Sequence, residues 1–451
     1  MKVHFIAIGG SAMHNLAIAL HKKGYIVTGS DDEIFEPSRS RLAKYGLLPP
    51  EEGWFPGRIT PGLDAVVLGM HAKEDNPELQ EVKKLEIPVY SYPEYLYEQS
   101  KNKTRVVIGG SHGKTTITAM VLHVLHSLGK EVDYMVGAQL DGFDIMVKLS
   151  EESPVVVLEG DEYLSSPLDR RPKFHLYKPD IALLSGIAWD HINVFPTFES
   201  YLEQFRIFLD KIVPGGTLVY CREDKIVNEI VQEKKRPFRA VPYGTLDYFA
   251  EGDRVFVNFN GEGYPLKIFG RHNMQNLDGA RMVCRELGIS DDEFFKVIGD
   301  FEGASKRLQH IASHGSLDVY KDFAHSPSKL KATVDAVRER YPGRKLVACI
   351  ELHTYSSLSS SFLEEYKGCM ENADIPVVYF DPHALELKRL PALTREDVVR
   401  SFGQQGVIVF NESEELRDFL LQTDWKNSVL LMMSSGNFGG LDPEQITSEL
   451  T

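Results

Sequence analysis

Short β-branched and aliphatic runs alternate with stretches of helical periodicity along the whole chain, and that alternation predicts parallel α/β units. In the first part, strands are expected at residues 3–8, 26–28, 65–68 and 88–90, with helix-like segments between them. The polar stretch Glu98-Gln99-Ser100-Lys101-Asn102-Lys103-Thr104 interrupts the pattern. A further strand at 105–108 then runs into glycines and a helix that starts near Lys114. Buried strands come next at 155–158, 181–184 and 217–220, and 254–259 with 264–269 read as an antiparallel pair about Asn260-Gly261-Glu262-Gly263. Helices at 273–286 and 291–298 close this section. The alternation restarts near residue 301, with strands at 316–321, 345–350, 377–380, 406–409 and 428–432 and helices at 328–341 and 413–421. The outcome is three α/β domains in series, 1–103, 104–300 and 301–451, without internal repeat or low-complexity segment.

Composition narrows the class of protein. A length of 451 residues, 43% hydrophobic and 25% charged, suits about three domains of roughly 150 residues each. The formal net charge of −15 argues against nonspecific binding to nucleic-acid phosphate, while a local basic pocket for a nucleotide stays possible. No apolar run approaches the roughly 20 residues that span a bilayer, and Met1-Lys2-Val3-His4-Phe5-Ile6-Ala7-Ile8-Gly9-Gly10 lacks the apolar length and cleavage site of a signal peptide. Cys221, Cys284, Cys349 and Cys369 are far apart, which suggests neither a disulfide framework nor a zinc site. The expectation is a cytoplasmic protein with no nucleic-acid partner and no membrane insertion, a monomer or a homodimer.

The strongest chemical signal is Gly109-Gly110-Ser111-His112-Gly113-Lys114-Thr115-Thr116 between a strand and a helix. Backbone N–H groups and the helix dipole at such a turn hold polyphosphate, the lysine reaches the β/γ-phosphates, and the first threonine hydroxyl meets Mg²⁺. Ile108 stands where the standard loop has its first glycine, so a glycine-rich turn before a core helix is the plain alternative. Glu159 and His191 each end a strand, and a strand-end carboxylate and histidine suit a Mg²⁺ site that bridges phosphate and substrate. Near the amino terminus, Ile8-Gly9-Gly10-Ser11-Ala12-Met13 lies between strand and helix, with Asp31 about 20 residues on. That arrangement alone would suggest a nicotinamide-dependent oxidoreductase, but the glycine spacing fails G-x-G-x-x-G.

The phosphate loop resembles the G-T-H-G-K-T-T loop of Mur ligases, with Ser111 for the usual Thr, and further segments match in the family's order. Glu159-Gly160-Asp161-Glu162-Tyr163 resembles E-A-D-E, and Asp190-His191 resembles the family's D-H. The resemblance implies Thr115, Glu159 and His191 as metal ligands. It implies Gly110, Ser111, His112, Gly113, Lys114, Thr115 and Thr116 around the ATP phosphates. Gly270-Arg271-His272-Asn273-Met274-Gln275-Asn276 resembles G-x-H-N-x-x-N, which implies Asn273 and Asn276 near adenine. Arg307 stands where a third-domain arginine reaches the phosphates. Asp322-Phe323-Ala324-His325-Ser326-Pro327 resembles D-[YF]-[GA]-H-H-P, with Asp322 on the nucleotide, His325 toward the reaction centre and Ser326 for the second histidine. The amino-terminal turn resembles G-I-G-G-x-x-M, which implies that Gly9, Gly10, Ser11, Ser30 and Asp31 hold the UDP substrate; Asn76-Pro77-Glu78 is similar to N-P-E.

The resemblance implies a fold of three parts: a Rossmann-like amino-terminal domain, a central P-loop ATPase domain and a Rossmann-like carboxy-terminal domain. The implied reaction uses ATP and Mg²⁺ to join UDP-N-acetylmuramate to a peptide or amino-acid amine, with Lys114, His191, Arg307 and His325 as the catalytic set. Of the members that bind UDP-N-acetylmuramate directly, one adds L-alanine and one adds the murein tripeptide. Gly160–Tyr163, Asp169–Phe174 and Ser434-Ser435-Gly436-Asn437-Phe438-Gly439-Gly440 are more similar to the tripeptide enzyme. Glu351-Leu352-His353-Thr354-Tyr355-Ser356 lacks the arginine of the alanine enzyme's Q-P-H-R but keeps a histidine, so both amines stay open.

Overall fold

The computed structural model describes residues 1–450 other than 141, 253, 305, 306 and 404. The chain divides into two compact units, the first Met1–Ile187, Leu202–Gly244 and Gly279–Ile298, the second Ala188–Tyr201, Thr245–Asp278 and Gly299–Thr451.

The first unit carries two sheets. Strands β1 (Lys2–Ile6), β2 (Ile26–Ser30), β3 (Ala65–Leu68) and β4 (Val89–Ser91) form a wholly parallel sheet in the order β2-β1-β3-β4. Its interior residues, such as Val3, Phe5, Val66 and Val67, lose all exposure, as expected where helices cover both faces. β1 stops at Ile6, two residues short of the run of apolar residues, because Ala7 turns to φ 69° and the Ala7 and Ile8 N–H groups both donate to the Ser30 carbonyl. The second sheet has seven strands: β5 (Thr104–Gly109), β6 (Asp133–Met135), β7 (Val147–Lys148), β8 (Val155–Gly160), β9 (Ile181–Leu184), β10 (Thr217–Cys221) and β11 (Arg239–Tyr243). Their order is β11-β10-β9-β5-β8-β6-β7, parallel except for the β6/β7 pair. From β5 the chain places β6 and β7 at one edge, returns with β8 beside β5, and then builds outward through β9, β10 and β11 on the other side. The crevice outside the carboxyl end of β5 is therefore the topological switch point, where open α/β sheets bind ligands.

In the second unit, β12 (Tyr248–Glu251), β13 (Arg254–Phe259) and β14 (Glu262–Leu266) make a small antiparallel sheet. The β13/β14 turn is the pair Asn260-Gly261, both at positive φ, so β14 begins two residues earlier than the sequence pattern places it. A six-stranded sheet comes next, built from β15 (Gln309–His314), β16 (Leu317–Asp322), β17 (Lys345–Leu352), β18 (Ile375–Phe380), β19 (Ile408–Phe410) and β20 (Ser428–Met433). The order is β15-β16-β20-β17-β18-β19, with only β15 antiparallel. β20 returns between β16 and β17, so the second switch point lies at the ends of these three strands, where Asp322, Ser434 and His353 stand. Both faces of this sheet are covered, one by Val334, Val337 and Phe362, the other by Leu416, Leu420 and Phe438. Among the described residues no helix is long and apolar enough to cross a membrane.

Candidate active site

In the first unit, β5 delivers the chain into a tight loop: Gly110 has φ 131°, Gly113 has φ 77°, and the helix Lys114–Ser127 starts at once. Ile108 is an interior residue of β5 rather than part of the loop, which is why the turn works without a glycine there. The segment after β9 forms its wall. Ser111 N–H donates to the Gly186 carbonyl at 2.9 Å, and the Ser185 hydroxyl donates to the Gly109 and His112 carbonyls. A Cβ on Gly186 would lie 2.4 Å from His112 Cε1, so the ring of His112 packs closely against that glycine.

Lys114 and Thr115 are already engaged by carboxylates. The Lys114 ammonium donates to the Gly110 carbonyl at 2.5 Å and to Glu162 Oε2 at 2.6 Å, with Glu162 only 1% exposed. Burial pulls the Lys114 ammonium down, but Glu162, Asp161 and Glu159 outweigh it and hold it above the ordinary lysine range, so it is fully charged. Thr115 Oγ1 donates to Glu159 Oε1 at 2.8 Å, while Glu159 Oε2 accepts the Gly137 N–H at 2.8 Å. A Cβ on Gly137 would stand 2.7 Å from Glu159, so the glycine gives the carboxylate its room. A buried hydroxyl and carboxylate side by side at the mouth of a phosphate loop are hard oxygen donors, and they fit Mg²⁺. Thr116 is buried behind them in the first helical turn.

The amino-terminal turn is built differently from its first impression. Gly9 N–H donates to Asp31 Oδ2 at 2.6 Å, and a Cβ on Gly9 would lie 2.9 Å from the same oxygen. Burial pushes the Asp31 carboxyl up to about 6, against the Gly9 hydrogen bond. Gly10 precedes the helix Ser11–Lys22 and Ser11 is its exposed first residue. Ser30 is wholly buried, its hydroxyl 3.4 Å from Arg58. His14 and Asn15 are also buried: Asn15 Oδ1 accepts the Met146 N–H at 2.9 Å and so ties the first helix to the segment before β7. Asn76 caps the helix Pro77–Lys84 and Glu78 is buried against His4, which gives that motif a structural role.

The second unit gathers the other predicted residues. Asp322 acts as a clamp, accepting the Leu308 N–H at 2.5 Å, the Ala324 N–H at 2.7 Å and the Thr333 hydroxyl at 3.2 Å. Arg307 lies over the Phe323 ring, 4.6 Å from its centroid. Asn273 and Asn276 are buried in the first turns of the helix Arg271–Glu286, with Asn273 Nδ2 donating to the Phe269 carbonyl at 2.9 Å. His191 adopts φ 55°, a left-handed conformation unusual for histidine, and its N–H donates to Asp190 Oδ1 at 2.7 Å. Asp190 Oδ2 lies 3.7 Å from Lys329 Nζ and 3.9 Å from His325 Nε2. His325 Nδ1 is 2.9 Å from the Phe323 carbonyl, which assigns the ring proton to Nδ1 and leaves Nε2 as an acceptor. Burial, reinforced by Lys329, pushes the ring down to about 3 despite Asp190, so His325 is neutral and the charge of Asp190 is answered by Lys329. Despite its own burial, Asp190 is held near 2 by Lys329, His191 and His325.

The sequence pattern does not single out Glu162, Gly137, Ser185, Gly186 or Lys329 as partners of the site. Glu162 is visible only as the fourth residue of E-G-D-E; Lys329 offers only the weak signal of a cation in the first turn of a helix.

A strand, a tight glycine loop carrying a charged lysine, and a helix at a sheet switch point define a polyphosphate-binding α/β enzyme. The chain belongs to the Mur ligase family. Models of the Mur ligase family catalytic domain, the Mur ligase middle domain and the Mur ligase glutamate ligase domain match residues 2–104, 108–284 and 306–436. Family members are ATP-dependent acid–amino-acid ligases. UDP-N-acetylmuramate–L-alanine ligases of Delftia acidovorans and Aquifex aeolicus are 30% and 29% identical, the alignments covering 97% of this chain and 94% and 95% of theirs. Among solved structures, a murein peptide ligase from Psychrobacter arcticus superposes with TM-score 0.67 at 22% identity, and the UDP-N-acetylmuramate–alanine ligase of Thermotoga maritima with 0.69 at 21%. Each covers 100% of this chain and 98% of its own. These likenesses establish the three-part Mur ligase fold and leave the nicotinamide alternative without support.

Proposed function

We propose that this protein joins the lactyl carboxylate of UDP-N-acetylmuramate to the amino group of L-Ala-γ-D-Glu-meso-diaminopimelate, with ATP as the energy source, in the cytoplasm as a monomer or homodimer. The observation that carries the choice of amine is the cluster at the end of β17. Thr354 stands at the arginine position of Q-P-H-R, its hydroxyl accepting the Ser357 N–H, and Glu351 stands at the glutamine position; Glu351 Oε2 accepts the Ser434 hydroxyl and the Phe438 N–H, the latter at 2.8 Å, and His353 Nδ1 lies 3.6 Å from its Oε1. A buried carboxylate does not offer the bidentate cationic contact that captures the carboxylate of free alanine. Beside it, a cavity of about 360 Å³ is lined by Lys321, Phe323, Ser435, Asn437, Phe438 and Pro443, a volume in the range of ligand sites. The second reading, addition of L-alanine, is favoured by the names of the similar ligases and by His353.

In the proposed reaction Gly110–Thr116 hold the ATP phosphates, Asn273 and Asn276 border the adenine, and Arg307 joins Lys114 at the transferring phosphoryl group. Asp322 acts by clamping the segment that carries Arg307. Gly9, Gly10, Ser11, Ser30 and Asp31 form the UDP side, and the domains run 1–103, 104–300 and 301–451. Thr115, Glu159 and His191 would hold Mg²⁺, which supplies charge neutralisation on the phosphates. Glu159→Ala is therefore expected to raise the Mg²⁺ concentration needed for half-maximal turnover by about tenfold or more, with partial rescue at excess metal. An unchanged Mg²⁺ titration would return Glu159 to a purely structural role.

The amine is settled by phosphate release from protein, ATP, Mg²⁺ and UDP-N-acetylmuramate. The tripeptide is expected to give a kcat/KM at least about 10²-fold above L-alanine, since remote contacts of a longer amine add binding energy in the transition state. Faster turnover with L-alanine would replace this assignment by the second reading.

A further inference from the structure

Along β16, the face that packs against Phe438 and Leu441 is apolar until its last residue. Leu317, Val319 and Lys321 alternate onto that face, the first two buried in its core and Lys321 half-buried. β16 is an interior strand, so a lysine there loses water around its stem. Among the described residues it gains no ion pair or hydrogen bond in return. It opens instead on the cavity of about 360 Å³ beside the β17 cluster, whose polar walls include Ser435 and Asp442 and whose apolar walls include Met432, Leu441 and Pro443. Ser435 Oγ is buried and, among the described residues, has no hydrogen-bond partner, so rotation about a single bond offers it to an acceptor in the cavity. Asp442 gives Oδ1 to the Glu444 N–H at 3.0 Å, as cap of the helix Pro443–Glu449, and also forms no ion pair among the described residues. A cation and an acid thus line one cavity without neutralising each other. The loop that carries Ser435 is held in place, since Glu351 Oε2 accepts from Ser434 and Phe438 and keeps Phe438 near φ 51°, a left-handed conformation that an L-residue rarely adopts.

We propose that this cavity holds the third residue of the incoming peptide by its free amino-carboxylate end: Lys321, with Ser435, takes the carboxylate and Asp442 takes the ammonium. The inference rests on the proposed function and names the part of that substrate the cavity recognises. In L-Ala-γ-D-Glu-meso-diaminopimelate the reacting amine belongs to the first residue. The amino-carboxylate end lies at the tip of the third residue's side chain, beyond a short run of methylenes. Its anchor has to stand away from the group that meets the reacting amine. Lys321 and Asp322 are consecutive in β16, so their side chains leave the sheet on opposite faces. Asp322 turns toward Thr333 and the helix Pro327–Arg340, the side of His325 and Lys329, while Lys321 turns toward the face of Phe438 and Leu441. Both charges of the amino-carboxylate are met there, and the apolar walls suit its methylenes. Free alanine cannot use the pair, because its carboxylate is on the carbon that bears the reacting amine.

Three peptides separate the two charges: the diaminopimelate tripeptide, L-Ala-γ-D-Glu-L-Lys, which keeps the terminal amine but lacks the terminal carboxylate, and the dipeptide L-Ala-γ-D-Glu, which lacks both. Phosphate release with ATP, Mg²⁺ and UDP-N-acetylmuramate gives kcat/KM for each. Wild-type protein is expected to prefer the diaminopimelate peptide over the lysine peptide by about tenfold or more, the worth of a charged hydrogen bond in a desolvated site. In Lys321→Met that preference should collapse to within about threefold, while the preference for the lysine peptide over the dipeptide persists. Asp442→Asn should instead lower both tripeptides relative to the dipeptide, by about tenfold. Neither change threatens the fold, since methionine extends the apolar row of β16 and asparagine caps a helix as well as aspartate. A diaminopimelate preference that survives in Lys321→Met would overturn the inference. An equal loss with all three peptides would also overturn it, placing Lys321 on the D-Glu carboxylate or in a structural role, and in both cases the proposed reaction would stand. Wild-type protein that turns over L-alanine faster than the diaminopimelate peptide would overturn the proposed amine itself, and the inference with it.

Discussion

Lys114→Met is expected to lower kcat by a factor on the order of 10³ while ATP-independent properties persist. The lysine is the charge that meets the phosphoryl group as negative charge shifts onto the bridging oxygen, and loss of one such preorganised donor typically costs about 10²–10³-fold. Its neighbourhood adds a second effect, since Glu162 is 1% exposed and Lys114 is its partner. Removing the cation alone takes an ion-pair partner from a buried carboxylate, a loss on the order of 3–5 kcal/mol unless the group takes up a proton. A single variant could then lose activity by unfolding. Lys114→Met/Glu162→Gln separates the two effects: the amide needs no counterion, so the melting temperature should return toward wild type while kcat stays low. Wild-type kcat in either variant would take the loop out of the chemistry.

The same pair shows what the sequence can and cannot carry. The loop, the helix after it and the strand before it are local features, and Gly110, Gly113 and Lys114 stand where a short-range pattern puts them. That Lys114 rests on Glu162 and Thr115 on Glu159 depends on β5 and β8 lying side by side with Thr104 opposite Val155, a register set by the whole sheet. The strands that the hydrophobic pattern misses are short or edge elements. β6 and β7 span two or three residues, β11 and β12 are largely exposed edge strands, and β15 is polar, so none has the apolar period that marks an interior strand. Asp31 is the opposite case. Its distance from Gly9 in sequence matches a ribose-binding acid, yet in the fold its carboxylate caps the glycine turn from beneath. Lys329 is invisible in the sequence as a site residue because its meaning lies in Asp190, 139 positions earlier along the chain.

Gly110→Ala should be nearly as damaging as loss of the lysine, by a different physical route. At φ 131° the backbone is in a region L-residues rarely enter, which costs on the order of 1–3 kcal/mol. The new methyl would also stand 2.1 Å from Ser185 Oγ, 3.1 Å from the Ser185 nitrogen and 3.2 Å from the Gly186 nitrogen. The hydroxyl could rotate away only by giving up its hydrogen bonds to Gly109 and His112, and the two nitrogens belong to the backbone that holds Ser111. Overpacking of this kind adds a further cost of about 1–3 kcal/mol, which the loop can shed only by moving off its wall. Because the phosphate-facing N–H groups and Lys114 are placed by that wall, KM for ATP should rise and kcat fall, by a combined factor on the order of 10²–10³ in kcat/KM. Gly129→Ala is the control: that glycine has φ 66° with nothing within 4 Å of its added Cβ, so it should lose about 1 kcal/mol of stability and leave kinetics unchanged. Wild-type kcat/KM in Gly110→Ala, beside the expected stability loss in Gly129→Ala, would mean that the segment at Ser185 and Gly186 does not shape the phosphate loop.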